Sequence, residues 1–133
     1  MDPKRLRDIA LFAGLSKGEL AQVGQWTTEL DLPAGRVLGR EGSVAYEFFV
    51  IEDGAAKVTI DGEHVTDLGP GDFFGEIGLL ERERRTATVT ATTPIRVIVM
   101  LGSEFRAMER EMPHVAQKVR EAIEERLARR AAP

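Results

Sequence analysis

The residues with the most chemical potential lie in one glycine-spaced stretch. It reads Gly71-Asp72-Phe73-Phe74-Gly75-Glu76-Ile77-Gly78-Leu79-Leu80, and after Glu81 to Arg84 it continues Arg85-Thr86-Ala87-Thr88-Val89. Glycines at 71, 75 and 78 let backbone amides approach a ligand closely. A short helical turn opening near Gly75 would point unpaired N–H groups outward, which favours an anion. Arg85 adds a planar, permanently charged fork that matches phosphate oxygens. Glu76 brings a carboxylate, which repels phosphate but accepts hydrogen bonds from sugar hydroxyls. Together these groups suit a sugar phosphate whose two ends are read separately. Two plainer readings stand beside that one: turns that only connect strands, and a simple Glu76–Arg85 ion pair.

Other chemistries find little material. The chain has no cysteine and only two histidines, His64 and His114, so disulfides, thiolate nucleophiles and histidine-rich metal sites are out of reach. Gly62-Glu63-His64 offers one histidine and no H-x-H pair. Ser16, Ser43 and Ser103 fall at turn or cap positions, and none lies in G-x-S-x-G. Gly69-x-Gly71 lacks the rest of a dinucleotide fingerprint, and there is no Walker A sequence. The expectation is a noncatalytic chain without a cofactor. Eighteen basic against 22 acidic side chains give a net charge of −4, the wrong sign for gripping nucleic acid through its phosphates.

The elements that must position this stretch change character twice. With 133 residues, 43% hydrophobic and 30% charged, the chain is expected to form one globular domain over 1–133. Its predicted parts are N-terminal helices over 1–24, a β-roll over 26–101 and C-terminal helices over 103–130. Ile9 to Leu15 is the longest apolar run, far short of the ~20 residues that span a bilayer, so no membrane segment is expected. Lys4, Arg5 and Arg7 precede it in the order of a signal peptide. Asp2 and Asp8 interrupt that basic stretch, however, and no A-x-A site follows. The favoured reading is a helix that buries Leu6, Ile9, Phe12 and Ala13.

Ser16 with Glu19 three residues on forms a capping-box signature ahead of Leu20 and Val23. From Trp26 to Leu101, turn residues recur at Pro33-Ala34-Gly35, Glu52-Asp53-Gly54, Asp61-Gly62 and Gly69-Pro70-Gly71. Between them Phe48 to Ile51 reads as a buried strand. Val58 and Ile60 alternate with Lys57 and Thr59, and Asp61-Gly62 predicts a hairpin into His64 to Leu68. Thr86 to Thr92 and Arg96 to Leu101 are rich in β-branched residues and read as strands. The fold class is therefore mainly β with flanking helices: an antiparallel β-roll, or jelly roll, with N-terminal helices and a C-terminal helix pair. In that pair Ser103 caps a helix carrying Phe105 and Met108. Pro113 opens another with a Val115, Val119, Ile123, Leu127 stripe widened by Ala116 and Ala122.

The stretch from Gly71 to Ala91 resembles the phosphate-binding cassette of cyclic nucleotide-binding domains, of the kind found in catabolite activator proteins and protein kinase A regulatory subunits. The resemblance rests on F-G-E at Phe74-Gly75-Glu76 and R-[STA]-A at Arg85-Thr86-Ala87, with Glu76 and Arg85 nine residues apart. It extends to Leu11-Phe12-Ala13-Gly14-Leu15, Pro33-Ala34-Gly35, Arg40-Glu41-Gly42 and Phe48 to Gly54, in family order. It implies that Glu76 accepts the ribose 2′-hydroxyl and that Gly75, Ile77 and Gly78 supply backbone contacts. Arg85 would hold the cyclic phosphate, with the Thr86 hydroxyl beside it. Val58 and Val65 match positions walling the purine, though β-roll core residues would look the same. Arg126 falls where a C-terminal helix arginine reaches the ligand; an ordinary solvated arginine is the other reading.

The resemblance therefore implies a cyclic-nucleotide sensor or regulatory module in the cytoplasm, with cAMP placed ahead of cGMP, whose C-terminal helix shifts on binding. No helix-turn-helix follows in this sequence, which agrees with a partner other than nucleic acid. The alternative is a ligand-independent interaction or dimerisation module on the same fold, meeting a protein partner or a second copy through the Val115–Leu127 stripe.

Overall fold

The structure is a computed structural model, and it describes residues 5–6, 9–44, 46–75 and 84–131. Its β strands are β1 (Thr28–Leu32), β2 (Val37–Gly39), β3 (Glu47–Asp53), β4 (Ala56–Ile60), β5 (Glu63–Leu68), β6 (Phe73–Phe74), β7 (Thr88–Ala91) and β8 (Ile95–Leu101). A 3₁₀ turn (Ala10–Phe12) and helix α1 (Lys17–Gln25) precede them; helices α2 (Gly102–Glu111) and α3 (Pro113–Ala131) follow. This is the mainly-β roll with flanking helices that the turn spacing predicts. The chain divides into two compact units, Thr28–Gly102 and Met1–Thr27 with Ser103–Pro133. Among the described residues, no helix is long and apolar enough to cross a membrane.

The strands form two four-stranded antiparallel sheets, ordered β1-β8-β3-β6 and β2-β7-β4-β5. Their inner faces share one core. Phe49, Ile51, Phe74, Ile95, Val97 and Val99 come from the first sheet; Leu38, Ala56, Val89 and Ala91 come from the second. Period-two alternation explains the set, because Ile95, Val97 and Val99 must point to the same side of β8. Phe48, Val50, Ile98 and Met100 on the other faces of β3 and β8 are buried too, which is why both strands read as continuous apolar runs.

The β4–β5 hairpin turns at Asp61 and Gly62, whose φ values of 51° and 80° are both positive, as a tight Asp-Gly turn requires. Its register then slips. Val58 faces Thr66 but Thr59 faces His64, so Val65 is an extra residue with no cross-strand partner. The expected alternation fails here for that reason: Ile60 is 41% exposed and Val65 is 54% exposed. Thr86 and Ala87 precede β7 rather than belonging to it, and the strand closes at Ala91.

In the helical unit the capping box forms as its sequence predicts. The Ser16 hydroxyl accepts from the Glu19 amide at 3.2 Å, and the Glu19 carboxylate accepts from the Ser16 amide at 2.8 Å. That amide and the Lys118 ammonium, 3.0 Å away, pull the Glu19 carboxyl from its ordinary 4.5 down to about 2. Leu6, Ile9 and Phe12 are buried as expected, but Ala13 is exposed and Leu11 is buried instead. The 3₁₀ turn, tighter than an α-helix, changes which residues share a face. Helix α2 begins at Gly102, so Ser103 lies inside its first turn rather than capping it. Val115, Ala116, Val119 and Ile123 of the α3 stripe are all buried and Ala122 is half-buried, while the Leu127 side chain lies outside the described residues.

Candidate functional site

The backbone at Arg85 is fixed before its side chain does anything. Its N–H donates to the Ser43 carbonyl at 2.8 Å, and its carbonyl accepts from the Gly42 N–H at 2.8 Å. One residue earlier, Arg84 forms an isolated antiparallel bridge with Val44 and donates from its guanidinium to the Gly42 carbonyl at 2.7 Å. The loop after β2 thus acts as a short strand partner for this end of the cassette.

The Arg85 guanidinium lies against β2, β3 and the end of β6. Its Nη2 donates to the Glu47 carbonyl at 3.3 Å, and its Cζ sits 5.9 Å from the centre of the Phe49 ring. Phe49 in turn stacks on Phe74, with centroids 4.7 Å apart. Two glycines leave the room this arrangement needs. A Cβ on Gly39 would come within 2.9 Å of Arg85 Cδ and 3.0 Å of Nε and Nη1. A Cβ on Gly75 would run into the Glu47 carbonyl oxygen and lie 3.2 Å from Arg85 Nη1. Gly75 also has φ 81°, a conformation that L side chains rarely adopt.

An open groove of about 450 Å³ runs along this face, within the size range of small-ligand sites. Arg36, Gly39, Arg40, Ser43, Glu47 and Arg85 are among the residues lining it. Guanidinium groups, a hydroxyl and a backbone-lined wall make the groove chemically suited to an oxyanion with hydroxyl groups. Among the described residues, no three metal-ligating side chains converge on a common point.

The predicted site residues divide into three groups. Gly75 and Arg85 come together as described, and the Thr86 side chain is exposed next to Arg85. Val58 is half-buried and packs on the inner core, whereas Val65 is 54% exposed, so the core reading does not hold for it. Glu76, Ile77 and Gly78 lie outside the described residues, and so does the side chain of Arg126 on α3. The sequence reading missed Gly39, Ser43, the Glu47 carbonyl and the Phe49 ring. A glycine inside the apolar strand Val37-Leu38-Gly39 is a recognised mark of close approach, and it was the one available signal.

Comparison with known proteins agrees with this geometry. The cyclic nucleotide-binding domain model matches residues 29–111, more than half of the chain. A cyclic nucleotide-gated potassium channel of Rhizobium etli is 30% identical over 118 residues, covering 89% of this chain and 33% of the channel. A cAMP-dependent protein kinase regulatory subunit of Emericella nidulans is 32% identical over 105 residues, covering 77% of this chain and 26% of the subunit. The chain thus spans a third or less of the length of these curated relatives. A cyclic nucleotide-binding domain of Methylobacillus flagellatus has the same fold, with a TM-score of 0.86 at 21% identity, over 96% of this chain and 74% of its own. A two-sheet roll with its arginine seated between two glycines, matched along most of its length by that model, belongs to the cyclic nucleotide-binding domain family.

Proposed function

We propose that the chain binds a cyclic nucleotide in the groove at Arg85 and acts as a noncatalytic regulatory module in the cytoplasm. The observation that carries this reading is the pair of glycines, Gly39 and Gly75, that clear space around one guanidinium. A cyclic phosphate carries a single charge, which one arginine fork and nearby amides satisfy. In this reading Arg85 holds the phosphate with Thr86 beside it, and Glu76 accepts the ribose hydroxyl. Gly75, Ile77 and Gly78 offer backbone contacts, Val58 and Val65 approach the base, and Arg126 reaches in from α3. The α3 helix then shifts between two packings as ligand binds. We place cAMP ahead of cGMP, in line with the kinase regulatory subunit among the relatives.

The competing reading is a ligand-independent interaction or dimerisation module on the same fold, and the burial of Val115, Val119 and Ile123 weighs against that part of the α3 stripe as its surface. A melting-temperature screen against cyclic mononucleotides separates the two. A ligand at 100 times its Kd adds about 2.7 kcal/mol of stability. A rise in Tm with cAMP supports the proposal; flat traces for every cyclic mononucleotide contradict it.

A further inference from the structure

Arg85 lies between the Arg84 bridge and β7, outside any regular strand. Two backbone hydrogen bonds hold its main chain, and both come from one turn, Arg40 to Ser43. The Gly42 N–H donates to the Arg85 carbonyl and the Arg85 N–H donates to the Ser43 carbonyl, each at 2.8 Å. Where that turn sits therefore sets where the Arg85 fork begins.

The turn is closed on itself by the Ser43 N–H on the Arg40 carbonyl at 3.2 Å, with Gly42 at φ 82°. Glu41 ties it to the second sheet. Its N–H donates to the Thr88 hydroxyl oxygen on β7 at 3.1 Å, and its carboxylate accepts from the Asp61 N–H at 2.9 Å. Asp61 is the tip of the β4–β5 hairpin, a tight turn of fixed shape and hence a firm anchor. Glu41 is half-buried and, among the described residues, forms no ion pair; its charge is spent on that one amide. A carboxylate on an N–H makes a stronger bond than a neutral pair. Glu41 is not among the residues lining the groove.

Resting on the reading that Arg85 holds the phosphate, we infer that Glu41 is a positioning residue for that site. It fastens the turn at 40–43 to the β4–β5 hairpin tip, and the turn holds the Arg85 main chain in place for the ligand. The hairpin tip thereby belongs to the support of the phosphate site although it lies 20 residues from Glu41 in the chain.

The test is titration calorimetry of cAMP and cGMP into the full chain, with the Tm of every variant measured alongside. Glu41→Ala is expected to weaken binding by about threefold to tenfold. Glu41→Gln keeps an oxygen that accepts from the Asp61 N–H, so its affinity should stay within about twofold of wild type. In an Arg85→Leu background, Glu41→Ala should cost nothing further, because the group it positions is gone. Thr88→Val, which removes the acceptor of the Glu41 N–H, takes the place of Glu41→Ala if that form melts early, with the same dependence on Arg85 expected. Wild-type affinity in Glu41→Ala at any Tm, a loss in Glu41→Gln as large as in Glu41→Ala, or an equal loss with and without Arg85 overturns the positioning role and leaves the Arg85 site standing. Failure of both nucleotides to bind the wild type overturns the Arg85 reading and this inference with it.

Discussion

The sheet β2-β7-β4-β5 has two edges, and they are built in opposite ways. At the β5 edge, residues 63–67 are all exposed, Val65 bulges out of register, and Glu63, His64 and Asp67 keep the strand polar. Charges and bulges of this kind blunt an edge against pairing with another chain. At the β2 edge, Leu38 and Gly39 are buried, and an arginine from 46 residues downstream lies against the strand. Both edges contain a register shift, between Val37 and Gly39 and between Val58 and Thr59. A bulge alone therefore does not set the two edges apart. What distinguishes the β2 edge is a missing side chain at Gly39, whose space the Arg85 side chain fills.

If that contrast is right, the β2 side should be sensitive to single methyl groups and the β5 side should not. Gly75→Ala is expected to have the largest effect, because its Cβ meets the Glu47 carbonyl and its φ is 81°. Strain of that kind costs about 2 kcal/mol or more, a fall of roughly 8 °C in Tm by calorimetry. Gly39→Ala has no positive φ and meets only the flexible Arg85 side chain, so its stability cost should stay below about 1 kcal/mol. Its effect should appear in cAMP affinity, a loss of about threefold to tenfold, as the guanidinium is pushed from its seat. Val65→Thr should be the mildest, within about 0.5 kcal/mol in urea melts. A large destabilisation there would mean that the β5 edge packs against something after all.

Much of this was legible in the sequence, and the failures have a common cause. The Ser16–Glu19 cap, the Asp61-Gly62 turn and the Phe48–Ile51 strand depend on neighbours a few residues apart, and all three form. Arg85 and Gly75 stood out because a charged fork and a flexible turn are properties of residue type. The Val65 bulge was hidden, since register is set by pairing across strands rather than along one. The Glu47 contribution was also hidden, because a carbonyl belongs to every residue and leaves no mark of type. Gly39 announced only that something comes close; its partner lay far down the chain. Glu76, Ile77 and Gly78, central to the resemblance, lie outside the described residues, so their roles rest on the sequence pattern.

Titration calorimetry of cAMP into the wild-type chain and Arg85→Leu tests the role of this cation most directly. Losing a charge-assisted contact of about 1.5–3 kcal/mol should weaken binding by roughly tenfold to more than a hundredfold, with the leucine form still folded. Equal affinity in the two proteins would contradict the assignment of the phosphate to Arg85.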